Sequence, residues 1–137
     1  MASRAAQAFM DGLREVEQSR DPEALVRLFA PDAELENPAR QATLHGTAGA
    51  RRFWTEYRQA FERVQSEFTR VEETDGFASL EWTSDGQLPT GTPIRYRGVS
   101  LVEFDDEGHV KRFCTYYDSA AFLPQGSKHQ HQQQQAT

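Results

Sequence analysis

Moving a proton at neutral pH requires a carboxylate, imidazole, thiol or phenol held where water is scarce. Glu81 is the first candidate. It stands in the run Phe77-Ala-Ser-Leu-Glu-Trp-Thr83, where two-residue alternation places it on one face with Ser79 and Thr83 and places Leu80 and Trp82 on the other. In an aromatic cavity, desolvation would raise its pKa and suit it to general acid or base work. On a solvated face it would instead pair with an arginine such as Arg95 or Arg97. Asp118 follows Tyr116 and Tyr117 and begins Asp118-Ser-Ala-Ala-Phe122, the pattern of a carboxylate capping a helical turn. His45 precedes Gly46 and could shuttle protons, or bond the loop backbone. Cys114 is the single cysteine, which rules out an internal disulfide or a Cys-based zinc site; as a nucleophile it would need a basic partner that the sequence does not identify. No spacing of His, Cys, Asp and Glu suits a metal. Glycine-rich phosphate loops and nucleophile elbows are absent, so nucleotide chemistry has no support.

The elements that must position these residues fall into two halves. Ala5, Ala6, Phe9, Met10, Leu13 and Val16 recur at three- and four-residue steps, predicting an amphipathic helix over 3–18. Asp21-Pro22 opens a short second helix carrying Leu25, Val26, Leu28 and Phe29, which should stop near Pro31. Residues 33–36 read as a short strand ending at Asn37-Pro38, followed by a loop to His45-Gly46. Thr47 can cap a third helix, whose stripe is Phe53, Trp54, Tyr57, Phe61 and Val64. Strands are predicted over 67–73, 77–83, 94–104 and 109–117, separated by Asp-Gly and Pro-Gly turn signals.

With 137 residues, the chain has room for one core. Nine Phe, four Tyr and two Trp make it too ring-rich for a disordered chain. A net charge of -6 argues against a nucleic-acid partner, and no apolar run is long enough to span a bilayer. The first residues form no continuous apolar stretch, so a secretory signal is not expected and the expected compartment is the cytoplasm. The domain is expected to occupy residues 1–125. Residues 126–137, rich in His and Gln, resemble a linker and short metal-affinity tag, with a native Gln-rich tail as the other reading.

Leu28-Phe-Ala-Pro-Asp-Ala-Glu-Leu-Glu-Asn-Pro38, then Gly46-Thr-Ala and Arg52-Phe-Trp54, resemble the front half of a ketosteroid isomerase. Gly98-Val-Ser-Leu-Val-Glu-Phe-Asp105, Gly108-His-Val and Tyr116-Tyr-Asp118 resemble SnoaL-like polyketide cyclases and limonene-epoxide-hydrolase-like proteins. All belong to the nuclear-transport-factor-2-like superfamily. The resemblance implies an α+β fold in which a cone-shaped, curved antiparallel sheet wraps around three N-terminal helices.

The same resemblance argues against steroid isomerisation. The isomerase base falls on Asn37, which has no usable basicity; its first oxyanion tyrosine falls on Leu13, its protonated aspartate near Ser100, and its third-helix tyrosine on Trp54. Of the epoxide-hydrolase set, only the asparagine is matched, by Asn37; the tyrosine becomes Leu35, matching Leu88-Pro-Thr-Gly91 to the similar turn there puts the Arg and first Asp on Glu81 and Thr83, and the second Asp falls on Thr115. The family register would turn Glu81, Ser79, Thr83, Tyr96, Ser100, Phe113, Thr115 and Tyr117 toward the cone. It leaves Glu81 as acid/base, with Asn37 and a tyrosine orienting water or substrate. An acidic residue on the late strands acts in the polyketide-cyclase branch, which keeps Asp118 a candidate, and Trp54 and Tyr57 sit where the third helix lines the cavity.

The implied function is binding of a small, largely apolar molecule with cofactor-independent acid/base chemistry: isomerisation, cyclisation, lyase chemistry or hydration. The alternatives are a binding module and a reused interaction scaffold. An enzyme should place a desolvated carboxylate or histidine at the base of the cone with a hydrogen-bond partner, whereas a binding module should not. Outward-facing Trp82, Val99 and Leu101 would leave an apolar sheet face for a homodimer to cover.

Overall fold

The computed structural model describes residues 3–123. Helix α1 (Arg4–Ser19) starts where the Ser3 hydroxyl accepts the Ala6 N–H at 3.2 Å, and ends at Arg20, whose φ of 67° leaves the helical region. Its buried stripe runs Ala6, Phe9, Met10, Leu13, Val16 and Glu17. Asp21 accepts the Glu23 N–H at 3.0 Å to start α2 (Glu23–Val26). That helix is one turn long and stops before Leu28: Phe29 already opens strand β1 (Phe29–Asn37), with Pro31 inside the strand.

A 3-10 turn (Pro38–Arg40) leads into β2 (Ala42–His45), a strand where the sequence predicts a loop, and then α3 (Gly46–Gln59). The helix begins one residue before Thr47, which therefore lies in the first turn and does not cap it. Strands β3 (Arg63–Thr74), β4 (Phe77–Gln87), β5 (Pro93–Phe104) and β6 (Val110–Tyr117) follow, and a 3-10 turn (Ser119–Phe122) ends the described residues. The boundary at residue 125 and the tail 126–137 lie outside them.

The α+β layout is the expected one: a curved, unclosed six-stranded sheet in the order β2-β1-β6-β5-β4-β3, holding the helices against its concave face. The sheet is mixed, because β1 runs parallel to β6 while every other pair is antiparallel. Phe9, Leu25, Leu35, Leu80, Val102 and Phe113 are almost wholly buried between sheet and helices. Each contributes on the order of 1.5–3 kcal/mol by leaving water. Gly98 of β5 lets the sheet close tightly: a Cβ there would run into the Tyr116 carbonyl and lie 2.7 Å from the Trp82 ring.

Candidate functional site

Between the helices and the concave face lies a cavity of about 910 Å³. Its apolar wall combines Phe9 and Leu13 of α1, Phe53, Trp54 and Tyr57 of α3, and Phe113 of β6. The rings interlock edge to face; the Trp54 centroid lies 4.8 Å from Phe53, 5.2 Å from Phe113 and 5.7 Å from Tyr57. A second aromatic group joins Phe61, Tyr96, Tyr117 and Phe122, with Phe122 brought to 4.8 Å from Tyr96 by the C-terminal turn. The exposed Arg40, Arg52, Glu56 and Gln59 line its outer part, where Arg52 pairs with Glu56 at 3.0 Å.

The polar groups of the wall bond to one another in small, separate sets. Trp82 Nε1 donates to Ser100 Oγ at 2.9 Å, and Ser100 Oγ lies 3.0 Å from Thr115 Oγ1. Asn37, at the end of β1, donates from Nδ2 to the Tyr117 hydroxyl at 3.4 Å. Its Oδ1 is buried with no hydrogen-bond partner among the described residues, and so is Trp54 Nε1.

Behind the wall sits Glu17, only 3% exposed. The Tyr57 hydroxyl donates to its Oε2 at 2.7 Å, Ser66 Oγ donates to the same oxygen at 2.5 Å, and the Ser66 N–H donates to Oε1 at 2.9 Å. Ser66 Oγ also lies 2.6 Å from Ser84 Oγ. Tyr57, Ser66 and Ser84 all line the cavity, so the carboxylate is one hydrogen bond from it. Buried Arg58 fixes the backbone around this group, donating to the Glu17 carbonyl at 2.9 Å and the Phe61 carbonyl at 3.0 Å. Burial, and then the charge of Glu17, push the Tyr57 pKa well above the ordinary phenol value. Burial likewise raises Tyr96, with Tyr117 and Glu17 adding to it.

Of the residues singled out by sequence, Asn37, Leu13, Trp54, Tyr57, Tyr96, Ser100, Phe113, Thr115 and Tyr117 line this one cavity. Five do not. Glu81 lies on the convex face with its side chain 50% exposed, 3.7 Å from Arg70, and Ser79 and Thr83 share that face. Trp82 and Leu80 take the inner positions instead, which also removes Trp82 from the proposed outer apolar patch. The strand pairing requires this: Leu80 is opposite Ser100 and Ser84 opposite Tyr96, and directly paired residues project to the same side. His45 is 70% exposed and 3.8 Å from Glu34. Asp118 is exposed and caps the last turn, accepting the Ala120 N–H at 3.2 Å.

A family model of the SnoaL-like domain matches residues 6–113. The chain belongs to the SnoaL-like domain family. Solved structures share its fold. A hypothetical protein with a ketosteroid isomerase-like fold from Catenulispora acidiphila, in complex with trimethylamine, superposes with a TM-score of 0.77 at 19% identity, over 90% of this chain and 92% of that one. TerC co-crystallised with polyporic acid gives 0.75 at 20% identity, over 88% and 95%. An NTF2-like protein of unknown function from Exiguobacterium gives 0.69 at 16% identity, over 84% and 98%. No curated protein matches the sequence.

Of the groups that sequence reasoning missed, Ser66, Ser84 and Trp82 lie in the wall of this SnoaL-like cavity and Glu17 lies behind it. The signal for Glu17 was available: it falls four residues after Leu13 and seven after Met10, on the apolar stripe of α1. An acid inside such a stripe requires buried partners. Among the described residues no group of three or more His, Cys, Asp or Glu is placed to hold a metal, and no helix is long and apolar enough to cross a membrane.

Proposed function

We propose that this SnoaL-like protein binds a small, largely apolar, ring-bearing molecule in the cone cavity and moves a proton on it without a cofactor. The observation that carries this reading is the hydrogen bond from Tyr57, in the cavity wall, to the enclosed Glu17 carboxylate. An acidic proton of a substrate seated against Tyr57 passes to the phenol oxygen while the phenol proton passes to Glu17 Oε2. Reversing both transfers at another substrate atom completes an isomerisation or cyclisation. Tyr57 acts as a neutral relay, because its raised pKa keeps it protonated at pH 7. The two Ser66 donors hold the carboxylate in place between transfers. Solved neighbours carrying trimethylamine and polyporic acid support the use of this fold for small molecules.

A carrier that performs no chemistry is the second reading. It is favoured by the three donors already bonded to Glu17 and by the positions of Glu81 and Asp118 outside the cavity. Screening ring ketones by thermal shift, then following exchange of the protons beside the carbonyl in D2O by NMR, separates the two. Exchange accelerated by the wild type and reduced about a hundredfold by Glu17→Gln and by Tyr57→Phe supports proton transfer. Binding without acceleration leaves the carrier.

The convex face supports a homodimer, with Val99 and Leu101 half-buried and Tyr116 48% exposed on it. Light scattering on the purified chain, with Tyr116→Lys as the disrupting variant, tests this assembly.

A further inference from the structure

Hydrogen bonding within the cavity is nearly complete. The Ser66, Ser84, Ser100 and Thr115 hydroxyls and the Trp82 N–H all have partners. Two buried atoms of the same cavity do not, and they differ in kind. Trp54 Nε1 can only donate; Asn37 Oδ1 can only accept. Trp54 is 3% exposed, held by five aromatic neighbours, so its N–H cannot turn out to solvent. Asn37 is held by its bond to Tyr117.

Both residues line the one cavity, Asn37 from β1 and Trp54 from α3, with Leu35 and Phe113 between them. Asn37 is two residues along β1 from Leu35, so it projects from the same face, and Leu35 pairs with Phe113, the ring that packs 5.2 Å from Trp54. A buried polar atom left unpaired is costly, and the cost is recovered when a ligand supplies the missing partner.

Resting on the ligand-binding reading above, we propose that the cavity selects ring compounds carrying a hydroxyl group, whose oxygen accepts from Trp54 Nε1 and whose hydrogen is donated to Asn37 Oδ1. A ketone can answer only Trp54. A bare hydrocarbon answers neither. A hydroxyl is the smallest group that answers both, and Asn37 and Trp54 thereby become the specificity determinants of the apolar wall.

The test compares 2-naphthol with naphthalene by titration calorimetry, and follows the two indole N–H signals by nitrogen-15 NMR, with Trp54→Phe assigning them. The wild type should bind the naphthol about tenfold more tightly, a preference on the scale of one or two neutral hydrogen bonds. The naphthol, and not naphthalene, should move the Trp54 N–H signal downfield and leave that of Trp82, already bonded to Ser100, in place. Trp54→Phe and Asn37→Leu should each lower the ratio of naphthol to naphthalene affinity severalfold, whatever either does to naphthalene binding alone. Should a variant fail to fold, the wild-type preference and the Trp54 signal decide. Equal affinity for the two compounds, or an unmoved Trp54 signal at saturation, overturns the proposal and leaves the apolar-ligand reading standing. Failure of both compounds to bind overturns the ligand reading and the proposal together.

Discussion

Replacing Glu17 by leucine removes the acceptor of three buried donors at once: the Tyr57 hydroxyl, the Ser66 hydroxyl and the Ser66 N–H. A hydrogen bond to a charged group contributes about 1.5–3 kcal/mol, and a donor stranded in the interior forfeits its solvation as well. The donors share one acceptor and the leucine regains apolar burial, so the losses do not sum; a net cost of about 3–5 kcal/mol is expected. With a urea m-value of roughly 1.5 kcal/mol/M for a domain of this size, the unfolding midpoint should fall by about 2–3 M. Glu17→Gln keeps the shape and one acceptor oxygen, and should cost only about 1–2 kcal/mol. Adding Tyr57→Phe and Ser66→Ala to Glu17→Leu removes both stranded hydroxyls and should restore much of the loss. Urea unfolding followed by far-ultraviolet circular dichroism measures all three. If Glu17→Leu unfolds within about 1 kcal/mol of wild type, the three donors do not depend on a carboxylate and the argument fails.

The remaining tests address other parts of the molecule. Tyr57 and Tyr96 have pKa values raised above the ordinary phenol range in the folded state, so above about pH 10 the unfolded chain releases protons that the native one retains. Stability from these groups should be constant below about pH 9 and fall as the pH rises past 10, with a shallower fall in Tyr57→Phe; urea midpoints against pH report it. Gly98→Ala puts a Cβ against the Tyr116 carbonyl, 2.7 Å from the Trp82 ring and 2.8 Å from Tyr117 Cβ, and should cost about 2–3 kcal/mol in the same unfolding assay. Glu81→Gln removes an exposed pairing with Arg70 and should change stability by no more than about 0.5 kcal/mol, with ligand affinity by calorimetry unaltered.

Where the sequence was legible, a long repeat made it so. The α1 stripe and the four long strands were located to within a few residues, because each spans enough residues for its period to be counted. Short elements were not: β2 has four residues with only Ala42 and Leu44 to mark it, and α2 ends after one turn because Phe29 is worth more paired in β1 than on a helix. The residues of β5, β6 and α3 expected to face the cone do line the cavity, while β4 presents the face opposite to the expected one. In a strand, a step of one residue exchanges the faces, and it cost both Glu81 and Trp82. Local composition held the correction. An inner face of Leu80 and Trp82 buries about 3–6 kcal/mol of apolar surface, whereas an inner Glu81 must find a buried partner.

The register also explains why the candidate site was hard to see in the sequence. Ser66 is opposite Ser84, Ser84 opposite Tyr96, and Ser100 opposite Thr115, on strands separated by turns. Individually these are ordinary strand residues with no shared motif. Pairing gathers them into a polar band across β3 to β6, reaching Glu17 at one end and continuing to Asn37 through Tyr117 at the other. Beside it, Leu80, Val102, Phe113 and Leu35 form a dry layer around Phe9. The dry layer excludes water from one side of the band, while the helices supply the groups that complete it: Glu17 from α1, Tyr57 and Trp54 from α3. The buried carboxylate of the group is thus delivered from a helix. The acid/base candidate therefore had to be sought on the apolar stripe of α1, and no alternation rule applied to the strands could have found it there.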